Sequence, residues 1–227
     1  MIGVILGTGP SLADVADDLR DAQADGKVML FGMNDSHNDF NLDVWIACDP
    51  KWHEMRGPIH LANCDQYHWC PDICKAGGYR HIKSSWWEGH APAVRRSYQP
   101  AHKDPLRTDP GWISLGHSSG WQCLNLAVHY HMADIISGPI LLCGYDMTYR
   151  EGEPRHYFKG VSDVDGEYDG ELRKWSLFDK PDKTGLLYDY KAIADQLTRG
   201  ELPCKIINCT PRSAMKWFPI RELKEFI

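Results

Sequence analysis

The sequence predicts an α/β fold: a mostly parallel sheet with helices on both faces and a lid-like insertion. Three observations predict it. Short apolar, β-branched runs recur along the chain, helical patterns separate several of them, and the first three runs each end on polar residues. In such a sheet, ligands bind outside the carboxyl ends of the strands.

The first strand is expected over residues 3–6. It runs into Leu6-Gly7-Thr8-Gly9-Pro10-Ser11-Leu12, where two glycines around Thr8 allow a sharp turn and close approach of backbone N–H groups to a ligand. Ser11 is placed to cap a helix over 12–23, in which Leu12, Val15, Ala16 and Leu19 recur at helical spacing. The third glycine of G-x-G-x-x-G is absent, since position 12 is Leu12, which argues against a dinucleotide fingerprint.

Further strands are expected over 27–32, 44–48, 79–82, 140–143 and 205–207. The polar ends of the second and third are Asn34-Asp35 and Asp49. Helices are expected over 121–132 and 189–199. Leu115-Gly116-His117-Ser118-Ser119-Gly120-Trp121 forms a second small-residue turn before a helix, able to hold phosphate or ribose or simply to cap the helix through a serine. The strand over 140–143 delivers Gly144, Tyr145 and Asp146. Residues 86–112 and 150–183 read as long insertions of a single domain spanning 1–227. Their aromatic content favours ordered insertions.

With 227 residues, 43% hydrophobic and 25% charged, the chain is long enough to build its own core. A net charge of −6 supplies no general attraction to a polyanion. Lys51, Arg56, Arg95, Arg96 and Lys103 could form a local basic face for DNA, although scattered solvated charge is the simpler reading. No apolar run is long enough to span a bilayer and no signal peptide is recognised, so the expectation is a soluble, cytoplasmic protein. The eight cysteines read as buried free thiols. A zinc site from Cys64, His68, Cys70 and Cys74 matches no common framework.

The order of these pieces carries more than any one of them: G-x-G-P-S-L, Asn34, a strand ending at Asp49, S-S-G before a helix, G-Y-D, His156 in a loop, and Thr210-Pro211-Arg212-Ser213. In this order the chain resembles the bacterial sialyltransferases of the Campylobacter type and the related motility-accessory and pterin-pyrophosphokinase-like proteins, and it looks nearest to members encoded by tailed phages. The resemblance runs from Leu6 to Phe218.

It implies a variant Rossmann-like glycosyltransferase that uses a nucleotide-sugar donor, inverts the anomeric centre and needs no metal. By the same resemblance, Gly7, Thr8, Gly9, Pro10, Ser11, Asn34, Asp49, Ser118, Ser119, Gly120, Thr210 and Ser213 contact the nucleotide, with Tyr145, Tyr149 and Tyr157 steadying its phosphate. His156 matches the histidine proposed as general base, and Asp146, at the end of the G-Y-D strand, is the second candidate catalytic residue. A phage-borne member would work in the host cytoplasm on a modified DNA base or a glycan, and a homo-oligomer is compatible with the sequence.

Asp49 departs from the pattern, because a carboxyl beside a diphosphate is repulsive unless a cation intervenes. Asp49 and Asp146 holding Mg²⁺ would suit a second chemistry, diphosphate transfer from ATP to a hydroxymethylpterin-like alcohol. A third reading is a nucleotide-sugar binder without turnover.

Overall fold

A computed structural model describes residues 1–47, 52–53, 56–68, 70–84, 106–114, 118–147, 157 and 186–227. Its centre is a seven-stranded sheet in the order β5-β4-β3-β2-β1-β8-β9. The strands are β1 (Ile2–Leu6), β2 (Val28–Met33), β3 (Val44–Ile46), β4 (Asp65–His68), β5 (Arg80–His81), β8 (Ile140–Cys143) and β9 (Ile206–Asn208), and every pairing is parallel. β6 (Lys83–Ser84) and β7 (Trp112–Ile113) form a separate parallel pair. The mostly parallel α/β architecture is therefore present.

Alternation along β1 explains why helices cover both faces. Ile5 joins one core with Phe31, Trp121, Leu124, Leu142 and Ile193, whereas Val4 and Leu6 join another with Leu12, Leu19, Leu30, Trp45 and Leu141. The first core lies under α3 (Ser119–Met132) and α4 (Leu186–Thr198), and the second under α1 (Ala16–Ala24) and α2 (Pro71–Gly77). Each fully buried Leu, Ile or Phe contributes about 1.5–3 kcal/mol of transfer free energy, so the two cores dominate the stabilisation.

Several expectations shift. β3 ends at Ile46, and α1 starts at Ala16 because Pro10–Asp14 winds first into a 3-10 turn. β4 and α2 were not expected, since Asp-Gln-Tyr-His is a polar strand with only His68 fully buried. Residues 106–112, expected to lie in an irregular insertion, are ordered by two buried amides. Gln196 accepts from Leu106 N–H at 2.9 Å and donates to its carbonyl at 3.1 Å. Asn125 does the same for Arg107, at 3.1 and 2.7 Å.

No helix among the described residues is long and apolar enough to cross a membrane. Among the described residues seven cysteines are free thiols, five of them buried.

Candidate functional site

The chain leaves β1 towards β2, β3, β4 and β5 on one side, then crosses to β8 and β9 on the other. The order reverses between β1 and β8, and a crevice at such a reversal is where open parallel sheets receive ligands. The loops that leave β1 and β8 there are Gly7–Ser11 and Gly144–Met147.

These two loops are bonded to each other. Gly7 N–H donates to Cys143 O at 2.7 Å and Gly9 N–H to Gly144 O at 2.8 Å, which carries the β1–β8 ladder past the strand ends. Ser11 does not cap α1: its hydroxyl donates to Asp146 Oδ2 at 2.6 Å, and its N–H reaches the same oxygen at 3.4 Å. Pro10 has no N–H to offer. The donors expected to cradle phosphate at Gly7, Gly9 and Ser11 are thus engaged inside the protein. The glycines serve the same contact, because a Cβ on Gly7 would lie 2.4 Å from Gly144 O and one on Gly9 2.0 Å from Asp146 Oδ2. Close approach is required here, to the β8 loop rather than to a ligand.

Asp146 is 3% exposed and held from behind as well. Thr210 Oγ1 accepts from Tyr145 N–H at 3.0 Å, Ser213 Oγ donates to Tyr145 O at 2.5 Å, and Ala214 N–H donates to Asp146 O at 2.8 Å. Thr210 and Ser213 are each 1% exposed. The Thr210–Ser213 turn, expected to touch nucleotide, acts as a clamp on the Gly144–Asp146 loop. With Oδ2 engaged by Ser11, Asp146 Oδ1 is buried and accepts no hydrogen bond among the described residues.

On the other wall, β2 is followed by Asn34 with φ +47°, a left-handed conformation uncommon for a side-chain-bearing residue. Two bonds to its carbonyl hold it there, from Trp45 Nε1 at 2.9 Å and with His37 Nδ1 at 2.8 Å. The Asn34 carboxamide faces the start of α3, with Ser119 Oγ 3.5 Å from its Oδ1. Ser118 caps α3 by accepting from Trp121 N–H at 3.2 Å. The first N–H groups of such a helix have no intrahelical partner, and the helix dipole favours an anion beside them.

Tyr145 sits below this turn and not in the mouth. It is 3% exposed, its hydroxyl donates to Gly120 O at 3.3 Å, and burial against Tyr190 pushes its phenol well above the usual tyrosine range. Gly120 is required there, since a Cβ would stand 2.9 Å from Tyr190 Oη and 3.1 Å from Tyr145 Oη.

Tyr157 is bonded to the first turn: its N–H donates to Thr8 O at 2.8 Å, its ring lies 6.2 Å from that of Phe40, and its hydroxyl meets Arg20 at 3.5 Å. Tyr157 immediately follows His156 in the sequence. Asp49, Tyr149 and His156 lie outside the described residues, as do Lys51, Arg95, Arg96 and Lys103.

Asp35 was passed over in the sequence because it follows Asn34 in what reads as an ordinary polar strand end. It is buried, accepts from Trp52 Nε1 at 3.4 Å and pairs with Arg56 at 3.2 Å. Arg56, expected on a basic face, is thereby engaged at the rim.

The zinc arrangement does not form. His68 Nδ1 accepts from Cys70 N–H at 2.8 Å and the Cys74 thiol donates to His68 O at 3.1 Å. Among the described residues no group of three His, Cys, Asp or Glu side chains could hold a metal ion. Mg²⁺ between Asp49 and Asp146 therefore rests on a residue outside the description.

The chain matches no protein-family model, and neither a curated protein nor a solved structure is significantly similar to it.

Proposed function

We propose that this chain is a glycosyltransferase that binds a nucleotide-sugar donor at the β1–β8 switch point and passes the sugar to an acceptor hydroxyl. The observation that carries this reading is the meeting of Asn34 and Ser119, 3.5 Å apart, across the carboxyl ends of a parallel sheet beside its reversal. A left-handed asparagine, a serine hydroxyl and a capped helix N-terminus together offer neutral donors and a favourable dipole for a nucleotide diphosphate or monophosphate.

The phosphate belongs at Ser118–Gly120 and not at the first turn. With Gly7, Gly9 and Ser11 N–H groups engaged and Asp146 beneath them, a phosphate there would meet a like charge at a cost of about 4 kcal/mol for unit charges 4 Å apart at an effective dielectric of 20. His156 takes the acceptor proton in this reading, and the acceptor is a glycan or a modified DNA base.

A thermal-shift screen against CMP, UDP and GDP, their sugar conjugates and ATP tests it. A sugar nucleotide at ~100 times its dissociation constant stabilises the protein by about 2.7 kcal/mol. Stabilisation by ATP with Mg²⁺ alone would instead favour diphosphate transfer, and stabilisation without turnover a binding protein.

A further inference from the structure

We infer that Asp146 Oδ1 is the floor of a sugar-hydroxyl subsite in the β1–β8 crevice, an inference that rests on the sugar-nucleotide reading above. Asp146 is held from two directions, by Ser11 on its other oxygen at 2.6 Å and by the Thr210–Ser213 turn on the backbone of its loop. Its side chain is therefore fixed, and yet Oδ1 is buried without a hydrogen-bond partner among the described residues. A buried carboxyl oxygen left unpaired is destabilising and marks either a partner still to arrive or a catalytic role.

The chemistry of the surroundings selects the partner. It must bring a donor, which rules out a bare phosphate oxygen. A Mg²⁺ ion asks for several oxygen ligands, and no group of three suitable side chains stands together among the described residues. The neighbouring carbonyls are already engaged, Gly144 O by Gly9 N–H and Thr8 O by Tyr157 N–H. One neutral donor completes the set, and a sugar hydroxyl supplies it. The ligand then lies with its phosphate towards Ser119 and a hydroxyl-bearing ring over the Ser11–Asp146 pair.

The shared chemistry is a ring hydroxyl, borne by the ribose or by the transferred sugar, and calorimetry on the full chain separates the two. The probes are CMP, UMP, GMP and AMP with their 2′-deoxy and 3′-deoxy forms, and UDP-glucose, GDP-mannose and CMP-N-acetylneuraminate beside their parent nucleotides. If the ribose is the donor, removing one hydroxyl weakens wild-type binding about tenfold or more, and Asp146→Asn reduces that discrimination to about twofold or less. If it is the transferred sugar, Asp146→Asn weakens a sugar nucleotide about tenfold and leaves its parent nucleotide unchanged.

Binding that is indifferent to every ribose hydroxyl and to Asp146→Asn overturns the subsite and leaves the sugar-nucleotide reading standing. Failure of all these probes to bind removes both. A Mg²⁺ titration of the protein alone that gives heat in wild type and none in Asp146→Asn assigns Oδ1 to a cation and overturns the subsite. The wild-type deoxy comparison needs no folded variant.

Discussion

Ser11 Oγ donates to Asp146 Oδ2 at 2.6 Å, joining the first turn of the chain to the loop after β8 across 135 positions of sequence. Both residues are buried, so the bond is made away from competing water. Ser11→Ala leaves Oδ2 with only the long 3.4 Å contact from the backbone N–H of residue 11 and is expected to destabilise by about 1–3 kcal/mol. Gly9→Ala drives a methyl to 2.0 Å from Oδ2 and should be worse than Ser11→Ala, since the turn must shift to admit it. Urea titration of both variants checks the order, and a Gly9→Ala protein as stable as wild type contradicts the close contact.

The Thr210–Ser213 turn supports the same loop from the other side. Thr210→Val and Ser213→Ala each remove one buried hydrogen bond to the Tyr145 backbone, an expected loss of about 1–3 kcal/mol. Because both bonds hold the backbone of one residue, on its two adjoining peptide units, the double variant should lose less than the sum of the two. A double-mutant cycle by chemical denaturation reads this directly, and strict additivity would show that the two hydroxyls act independently.

Acid sensitivity should centre on His68. Burial, aided by the neighbouring His53 ring at 4.7 Å, holds the His68 imidazole down at about 3, below its ordinary 6.5. The unfolded chain therefore binds a proton that the folded chain refuses. Stability from this group is fully present above about pH 6.5 and falls by about 1.4 kcal/mol per pH unit as the pH drops from there towards 3. His68→Gln should flatten this slope between pH 6 and 4. An unchanged slope would place the acid sensitivity elsewhere.

The buried strands of the fold were legible because a parallel sheet covered on both faces demands continuous apolar runs, and β1, β2, β3, β8 and β9 have them. β4 was not, since Asp65 is spent on a polar network, Tyr130 Oη to Asp65 at 2.6 Å and Arg80 to Asp65 at 2.6 Å, and Tyr67 is the one partly buried aromatic of the strand against the core. At the strand ends, the sequence located the turns but could not tell their roles apart. A G-x-G-P-S turn that cradles phosphate and one that embraces an aspartate look alike until Asp146 is seen against Gly9. Thr210, Ser213 and Tyr145 are likewise assigned to a ligand only by the resemblance. Only long-range packing shows that they bond the neighbouring loop or the helix above.

Tyr145 separates a structural from a ligand-steadying tyrosine. Its hydroxyl bonds Gly120 O and meets the Tyr190 hydroxyl, from a buried position. Tyr145→Phe is expected to lower stability by about 0.5–1.5 kcal/mol and to leave nucleotide affinity within about twofold. A tenfold loss of affinity without loss of stability would return Tyr145 to the ligand.

Asn34 should show the opposite behaviour. Its φ of +47° is strained for a residue with a Cβ, and glycine adopts that conformation freely. Asn34→Gly keeps the backbone that Trp45 and His37 bond to, so stability should change by less than about 1 kcal/mol in either direction. The carboxamide beside Ser119 is lost, however, and sugar-nucleotide affinity should fall about tenfold. Asn34→Ala should lose the same affinity and also stability, because alanine carries the strain without the side chain that asparagine uses to tolerate it. Calorimetry and denaturation on the two variants give four numbers. If Asn34→Gly binds as wild type does, the left-handed turn at the end of β2 is a structural corner and the site must be sought away from α3.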